Sequence, residues 1–167
     1  MGGPPGPLPA GSVQRMTLGS GALHSERNAS HTEPMRFIQI WILPDTPDLA
    51  PGVEQRVFTT ADRTNKLLRV MGPEGGDVVK VHQDASIHVA RLDSGVEVSH
   101  ELGVGRGAYV YLIDGAASLE EEALNTGDAA KVTDQPTLNI RATSTSELIL
   151  VDVPMEFEAV GIWRGRS

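Results

Sequence analysis

Short runs in which apolar and polar residues alternate recur along the chain, and turn residues separate nearly all of them. The runs are SVQRMTL, RFIQIWIL, EQRVF, KLLRVM, VVKVHQ, SIHVARL, VEVSHEL, AYVYLI, ASLEEEAL, DAAKV, TLNIRA and SELILVDV, with Gly, Pro, Asp or Asn in the gaps. A period of two puts every second side chain on one face of a strand. A helix needs apolar residues at i, i+3, i+4 and i+7, and no long stretch supplies them. Many short strands joined by turns predict an all-β sandwich or barrel. ASLEEEAL lies between two such runs and reads as a hairpin with Glu120, Glu121 and Glu122 in solvent. RFIQIWIL is apolar at both parities, which predicts a strand buried between a barrel interior and a neighbouring layer, with Phe37 and Trp41 in the core.

The polar, Pro-rich stretch beginning at DTPDLAPG and ending near Arg63 reads as a surface connection, and GPEGGD at Gly72–Asp77 as a second loop. The expected division is therefore residues 1–60 and residues 61–167. The second part carries enough strands for one complete small barrel. The first carries about three, which cannot close a barrel.

Composition narrows the function classes. Asp and Glu outnumber Lys and Arg by 22 to 14 and no basic cluster is interleaved with aromatics, which argues against direct nucleic-acid binding. With no cysteine there is no disulfide, thiolate metal site or Cys nucleophile, and a cytoplasmic location is the expectation. The opening MGGPPGPLPAG has neither a basic nor an apolar leader region, and no run is long enough to cross a bilayer as a helix, so a soluble protein without a membrane partner is expected. Gly6 stands where a myristoylation signal wants Ser or Thr. No serine sits in a nucleophile-elbow pattern, which disfavours a hydrolase.

Among the five histidines, His24 is singled out because Glu26 follows it at a spacing of two. In extended backbone the imidazole and the carboxylate share a face and converge, as a pair of metal ligands must. His31 lies in the polar turn NASHTEP and reads as solvated, and His88, between Ile87 and Val89, as a strand-surface residue. His100 shares a parity with Val96, Val98 and Leu102 and reads as an interior or rim histidine. Gln14 and Gln39 are candidates for a pocket face. GSG at Gly19–Gly21 is a tight loop without the following helix that a phosphate cradle requires.

The ordered set PLPAG, QRMTLGSG, HSE and QIW, continued by KVHQD at Lys80–Asp84 and by the final LVDVP, resembles the pirin family, including its bacterial quercetin 2,3-dioxygenases, over about Pro9–Pro154. The resemblance implies two cupin barrels in tandem, here one complete C-terminal barrel and part of an N-terminal one. It also implies one iron-type divalent ion in the N-terminal barrel, held by three His and one Glu. His24 and Glu26 match the third His and the Glu. The His-x-His element that supplies the other two has no counterpart in this sequence. His82 falls in the VHQD stretch, where a structural hydrogen bond is expected. Aligned on Gly95 and Gly115, the ligand positions of the first cupin motif in the second barrel hold Glu101, Gly103 and Ala108, and the second motif, on Asn125 and Gly127, has Ala130 at its ligand position, so that barrel is expected to be metal-free.

Three readings follow. The first is a metal-dependent dioxygenase acting on flavonol-like substrates such as quercetin, with His24 and Glu26 as ligands and Glu26 also as a base, inactive if half of the ligand set is missing. The second is a non-catalytic binding or regulatory protein that pairs with another chain, or forms a homo-oligomer, through the incomplete barrel and the apolar residues around Trp41. The third is that the natural polypeptide starts upstream of Met1, or that the gene is a degraded fragment.

Overall fold

The computed structural model describes residues 6–160. In chain order it contains β1 (Ser12–Thr17), β2 (Gly52–Val57), α1 (Thr60–Arg63), β3 (Leu68–Gly72), β4 (Val79–Lys80), β5 (Ser86–Leu92), β6 (Glu97–Glu101), β7 (Arg106–Asp114), β8 (Ala116–Leu119), β9 (Glu122–Asn125), β10 (Ala129–Thr133), β11 (Thr137–Ala142) and β12 (Ser146–Pro154). Strands β1 and β2 form a separate antiparallel ribbon. A six-stranded sheet runs β10-β7-β12-β5-β3-β4, and a four-stranded sheet runs β6-β11-β8-β9. All pairings are antiparallel except β3 with β4.

Strand parity decides what each sheet buries. On β12, Leu148 and Leu150 enter one core while Ile149 packs into another, and β5 divides in the same way into Ala90 and Leu92 against Ile87. The inner core joins these residues to Val110 and Leu112 of β7, Ala117 and Leu119 of β8 and Leu138 and Ile140 of β11, so the two sheets close on a shared apolar interior. Leu92, Leu112, Ile140 and Leu150 have no exposed surface. Each contributes about 1.5–3 kcal/mol by leaving water.

The opposite face of the six-stranded sheet carries the second core of Val70, Met71, Val79, Val81, Ala85, Ile87 and Ile149. The N-terminal portion packs here through Val13, Ile42 and Phe58. Polar contacts fasten it to the loop between β4 and β5. The Asp45 amide donates to the His82 carbonyl at 2.8 Å, Gln83 Nε2 donates to the Leu43 carbonyl at 2.9 Å, and Arg15 Nη1 lies 2.9 Å from His82 Nε2. His82 thus has the structural hydrogen bond expected of it.

Local chemistry sets the boundaries. Thr59 caps α1 reciprocally, its hydroxyl accepting from the Asp62 amide while Asp62 Oδ2 accepts from the Thr59 amide at 2.7 Å. Those hydrogen bonds hold the Asp62 carboxyl below its ordinary value. The expected division at residue 60 falls at the first residue of this helix. Gly115 turns β7 into β8 with φ +91°, and a Cβ there would collide with the Thr145 carbonyl and with Ser146. The hairpin expected in ASLEEEAL is present as β8 and β9, with Glu120 at its tip accepting from the Asn139 amide at 2.9 Å.

One expected element is absent. Residues 36–43, RFIQIWIL, form no strand, and Phe37 and Trp41 are 58% and 81% exposed rather than buried. Their apolar parity suits a strand, but a strand needs a hydrogen-bonded neighbour, and no described residue pairs with this segment. Only Ile42 of the run reaches a core.

Candidate functional site

The residues before β2 hold the first site candidate. His24 Nε2 and Glu26 Oε1 stand 3.2 Å apart, each side chain about one-third exposed. The segment around them is irregular rather than a strand, so a direct imidazole–carboxylate contact, and not sheet geometry, brings them together. The GSG loop before them bends through Gly19 and Gly21, both at positive φ, with the Gly21 amide donating to the Leu18 carbonyl at 2.9 Å. His31 is exposed beside an Asn28–Ser30 turn. Gln39 is exposed, and Gln14 Nε2 makes a 3.4 Å contact with Gln55 Oε1.

A second cluster lies inside the C-terminal barrel at one end of its apolar core. On β12 the inward parity that carries Leu148 and Leu150 continues to Asp152, and on β5 the parity of Leu92 and Ala90 continues back to His88. His100 of β6, Arg106 of β7 and Arg69 of β3 complete the rim of a cavity of about 290 Å³. Asp152 Oδ2 accepts from His100 Nε2 at 2.8 Å, and its Oδ1 accepts from Arg106 Nε at 2.6 Å. Arg106 Nη1 also donates to Asp84 Oδ2 at 2.7 Å. The His88 and His100 rings meet edge to face with centroids 4.8 Å apart.

The electrostatics follow from this packing. Burial pushes the His88 imidazole down to about 4, reinforced by the adjacent His100 and Arg69, so the ring is neutral near pH 7. Its buried Nδ1 has no hydrogen-bond partner among the described residues. Burial alone would raise Asp152, but hydrogen bonds from His100 and Arg106 outweigh it and hold the carboxyl below its ordinary value. Arg106 is likewise partly desolvated and is held above its ordinary value by Asp152 and Asp84. An ionised Asp152 accepts from His100 Nε2 and so fixes the orientation of that ring.

This cluster corrects the sequence reading of His88, which lines the barrel interior instead of a strand surface. His100 is at the rim as its parity implied. Arg69, Asp84, Arg106 and Asp152 were not anticipated, although a carboxylate continuing the inward series Leu148, Leu150 was a legible signal. The cupin ligand positions hold Ala108, buried in the apolar interior, Ala130, packed against it, and exposed Glu101 and Gly103.

Comparison with known proteins bears on the family and the fold. The profile of the quercetinase C-terminal cupin domain matches residues 69–153, about half the chain, and the pirin profile matches residues 2–42. The chain belongs to the pirin family. A quercetin 2,3-dioxygenase of Escherichia coli strain K12 is 32% identical over 148 residues, covering 88% of this chain and 63% of that protein. A pirin-like protein of Caulobacter vibrioides is 32% identical over 145 residues, covering 86% and 62%. The crystal structure of the bacterial pirin YhhW from E. coli in complex with nickel(II) superposes with a TM-score of 0.80 at 32% identity, over 88% of this chain and 63% of that one. The fold is thus all-β and of the cupin type. The chain spans somewhat less than two thirds of the length of these relatives.

The nickel(II) of the YhhW structure poses a test of the residues present. A catalytic site takes at least three protein ligands. His24 and Glu26 supply two, and no group of three or more His, Cys, Asp or Glu side chains able to hold an ion occurs among the described residues. The remaining residues, 1–5 and 161–167, contain none of these residue types. The donor set of this chain by itself does not fit a complete catalytic metal site.

No helix among the described residues is long and apolar enough to cross a membrane.

Proposed function

We propose that this chain carries part of a pirin-type dioxygenase centre for flavonol-like substrates such as quercetin. In this reading His24 and Glu26 are two donors to an iron-type divalent ion, and the C-terminal barrel is the scaffold behind them. The observation that carries the reading is the 3.2 Å approach of His24 Nε2 to Glu26 Oε1 in a pirin-family chain. Two donors do not retain an ion against water, so the other ligands must come from residues outside this sequence. Glu26 contacts His24 at 3.2 Å and would be the base that takes a proton from a bound hydroxyl.

Metal content and oxygen uptake with quercetin test this. The isolated chain should hold well under one equivalent of metal and show no turnover. Extending it upstream with a segment that carries a His-x-His element should restore both, and replacing His24 by Ala in the extended protein should abolish them. Full activity of the isolated chain, or an active extended His24→Ala protein, would refute the assignment.

A second reading rests on a different observation. Leu23, Phe37 and Trp41 are 98%, 58% and 81% exposed in one irregular segment, an apolar surface that favours burial against another chain. This supports a non-catalytic pairing role. A monomer at all concentrations by light scattering would remove it.

A further inference from the structure

We propose that His82 is an acid-sensitive latch: a proton on its imidazole releases Arg15 and loosens the β1–β2 ribbon from the C-terminal barrel. The ribbon shares no sheet with the barrel and packs against β4. Val13 lies on the second core, and strand parity with the β1–β2 register puts Arg15, Glu54 and Arg56 on that same face. Arg15, only 18% exposed, reaches from there to the half-buried His82.

The contact works in one direction only. A guanidinium has N–H donors and no acceptor, so the 2.9 Å approach of Arg15 Nη1 requires His82 Nε2 to accept with its lone pair. A proton on Nε2 deletes that acceptor and sets a second cation beside the first. His100 responds in the opposite sense, because its Nε2 faces the Asp152 carboxylate and a proton there adds attraction.

The neighbouring charges do not take over the role of the lone pair. On the ribbon, Glu54 Oε2 lies 3.6 Å from Arg15 Nη2 and also accepts from the Lys80 amide, while Arg56 Nε stands 4.0 Å from its other oxygen. On the barrel side Asp84 is turned to Arg106. Asp45 sends its amide to the His82 carbonyl and accepts from the Thr46 hydroxyl. Glu54 is thus already shared by Arg15, Arg56 and Lys80. The apolar contacts of Val13, Ile42 and Phe58 do not titrate, so acid makes the ribbon open more often without detaching it. His24 and Glu26 belong to the stretch between β1 and residues 43–45, both ends of which are fastened at this place. The latch therefore governs how firmly those side chains are held, whether or not they bind an ion.

The test is hydrogen–deuterium exchange of the full chain, read by mass spectrometry at about pH 7.5 and about pH 5.5, on either side of the range in which an imidazole titrates. After correction for intrinsic rates, protection of β1 and β2 should fall by roughly tenfold or more at the lower pH, as the loss of one hydrogen bond to a charged group implies. His82→Gln carries an uncharged acceptor oxygen that does not titrate. Its ribbon should be equally protected at both pH values, while β5, β7 and β12 respond to pH as in the wild type. Arg15→Gln removes the cation, and its ribbon should also exchange alike at both. If His82→Gln does not fold, Arg15→Gln and the wild type decide. A wild-type ribbon indifferent to pH, or acid loosening that persists in either variant, would overturn the proposal.

Discussion

Asp152 offers the sharpest check on the physical account of the barrel mouth. Its side chain is 8% exposed and accepts one hydrogen bond from His100 and one from Arg106, whose side chain is 20% exposed. Asn at this position keeps the shape but offers a single acceptor oxygen, so one of the two donors must face an amide N–H. A hydrogen bond to a charged group contributes about 1.5–3 kcal/mol net. Loss of an entire partner in a buried pair costs about 3–5 kcal/mol. Arg106 retains Asp84 at 2.7 Å and so is not left unpaired, which places Asp152→Asn at the lower of these figures, about 2–3 kcal/mol. For a chain of this size the thermal midpoint should fall by roughly 4–12 °C. The loss should also depend on pH. The folded-state carboxyl lies below its ordinary value, so its contribution is full above the ordinary carboxylate range and fades as pH falls through the lowered value. Urea unfolding of wild type and variant at neutral and acid pH measures both effects. A variant within about 0.5 kcal/mol of wild type at neutral pH would refute the reasoning, because a surface polar substitution does no more than that.

Three further outcomes follow from the same geometry. His88, held down to about 4 against an ordinary value of 6.5, binds a proton more readily when unfolded, so wild-type stability should drop as pH falls from about 6.5 towards 4. His88→Gln should flatten that part of the curve, as measured by urea midpoints at several pH values. Leu150→Ala, at a position with no exposed surface between β5 and β7, should cost about 2–5 kcal/mol by calorimetry or denaturant unfolding. Trp41→Ser, at a position 81% exposed, should leave unfolding within about 0.5 kcal/mol of wild type while lowering hydrophobic-dye binding.

The barrel was legible because its strands obey a two-residue period against a well-filled interior. Leu148 and Leu150 on one face and Ile149 on the other could be assigned before any coordinates, and so could the turn at Gly115. RFIQIWIL misled because its alternation reports only what a strand would bury. Whether a strand forms depends on a hydrogen-bonding neighbour, which is not encoded in the segment itself. His88 was misassigned by comparison with Ile87 and Val89, its immediate neighbours, when the informative comparison was with Ala90 and Leu92 two and four residues on. The spacing of His24 and Glu26 allowed their meeting but did not reveal that an irregular segment would bring it about. The Asp152 network escaped because its members come from five strands and a loop, and no local pattern joins them.

The five residues from Val81 to Ala85 stand between both halves of the molecule. Their backbone and Gln83 hold the N-terminal segment, while Asp84 grips Arg106 at the cavity rim. A shift of this short span cannot be felt on one side alone. Whatever loosens the anchorage of residues 43–45 also moves a carboxylate at the entrance on the far side of the sheet, and a fluorine label beside Gln83 would register events at either place.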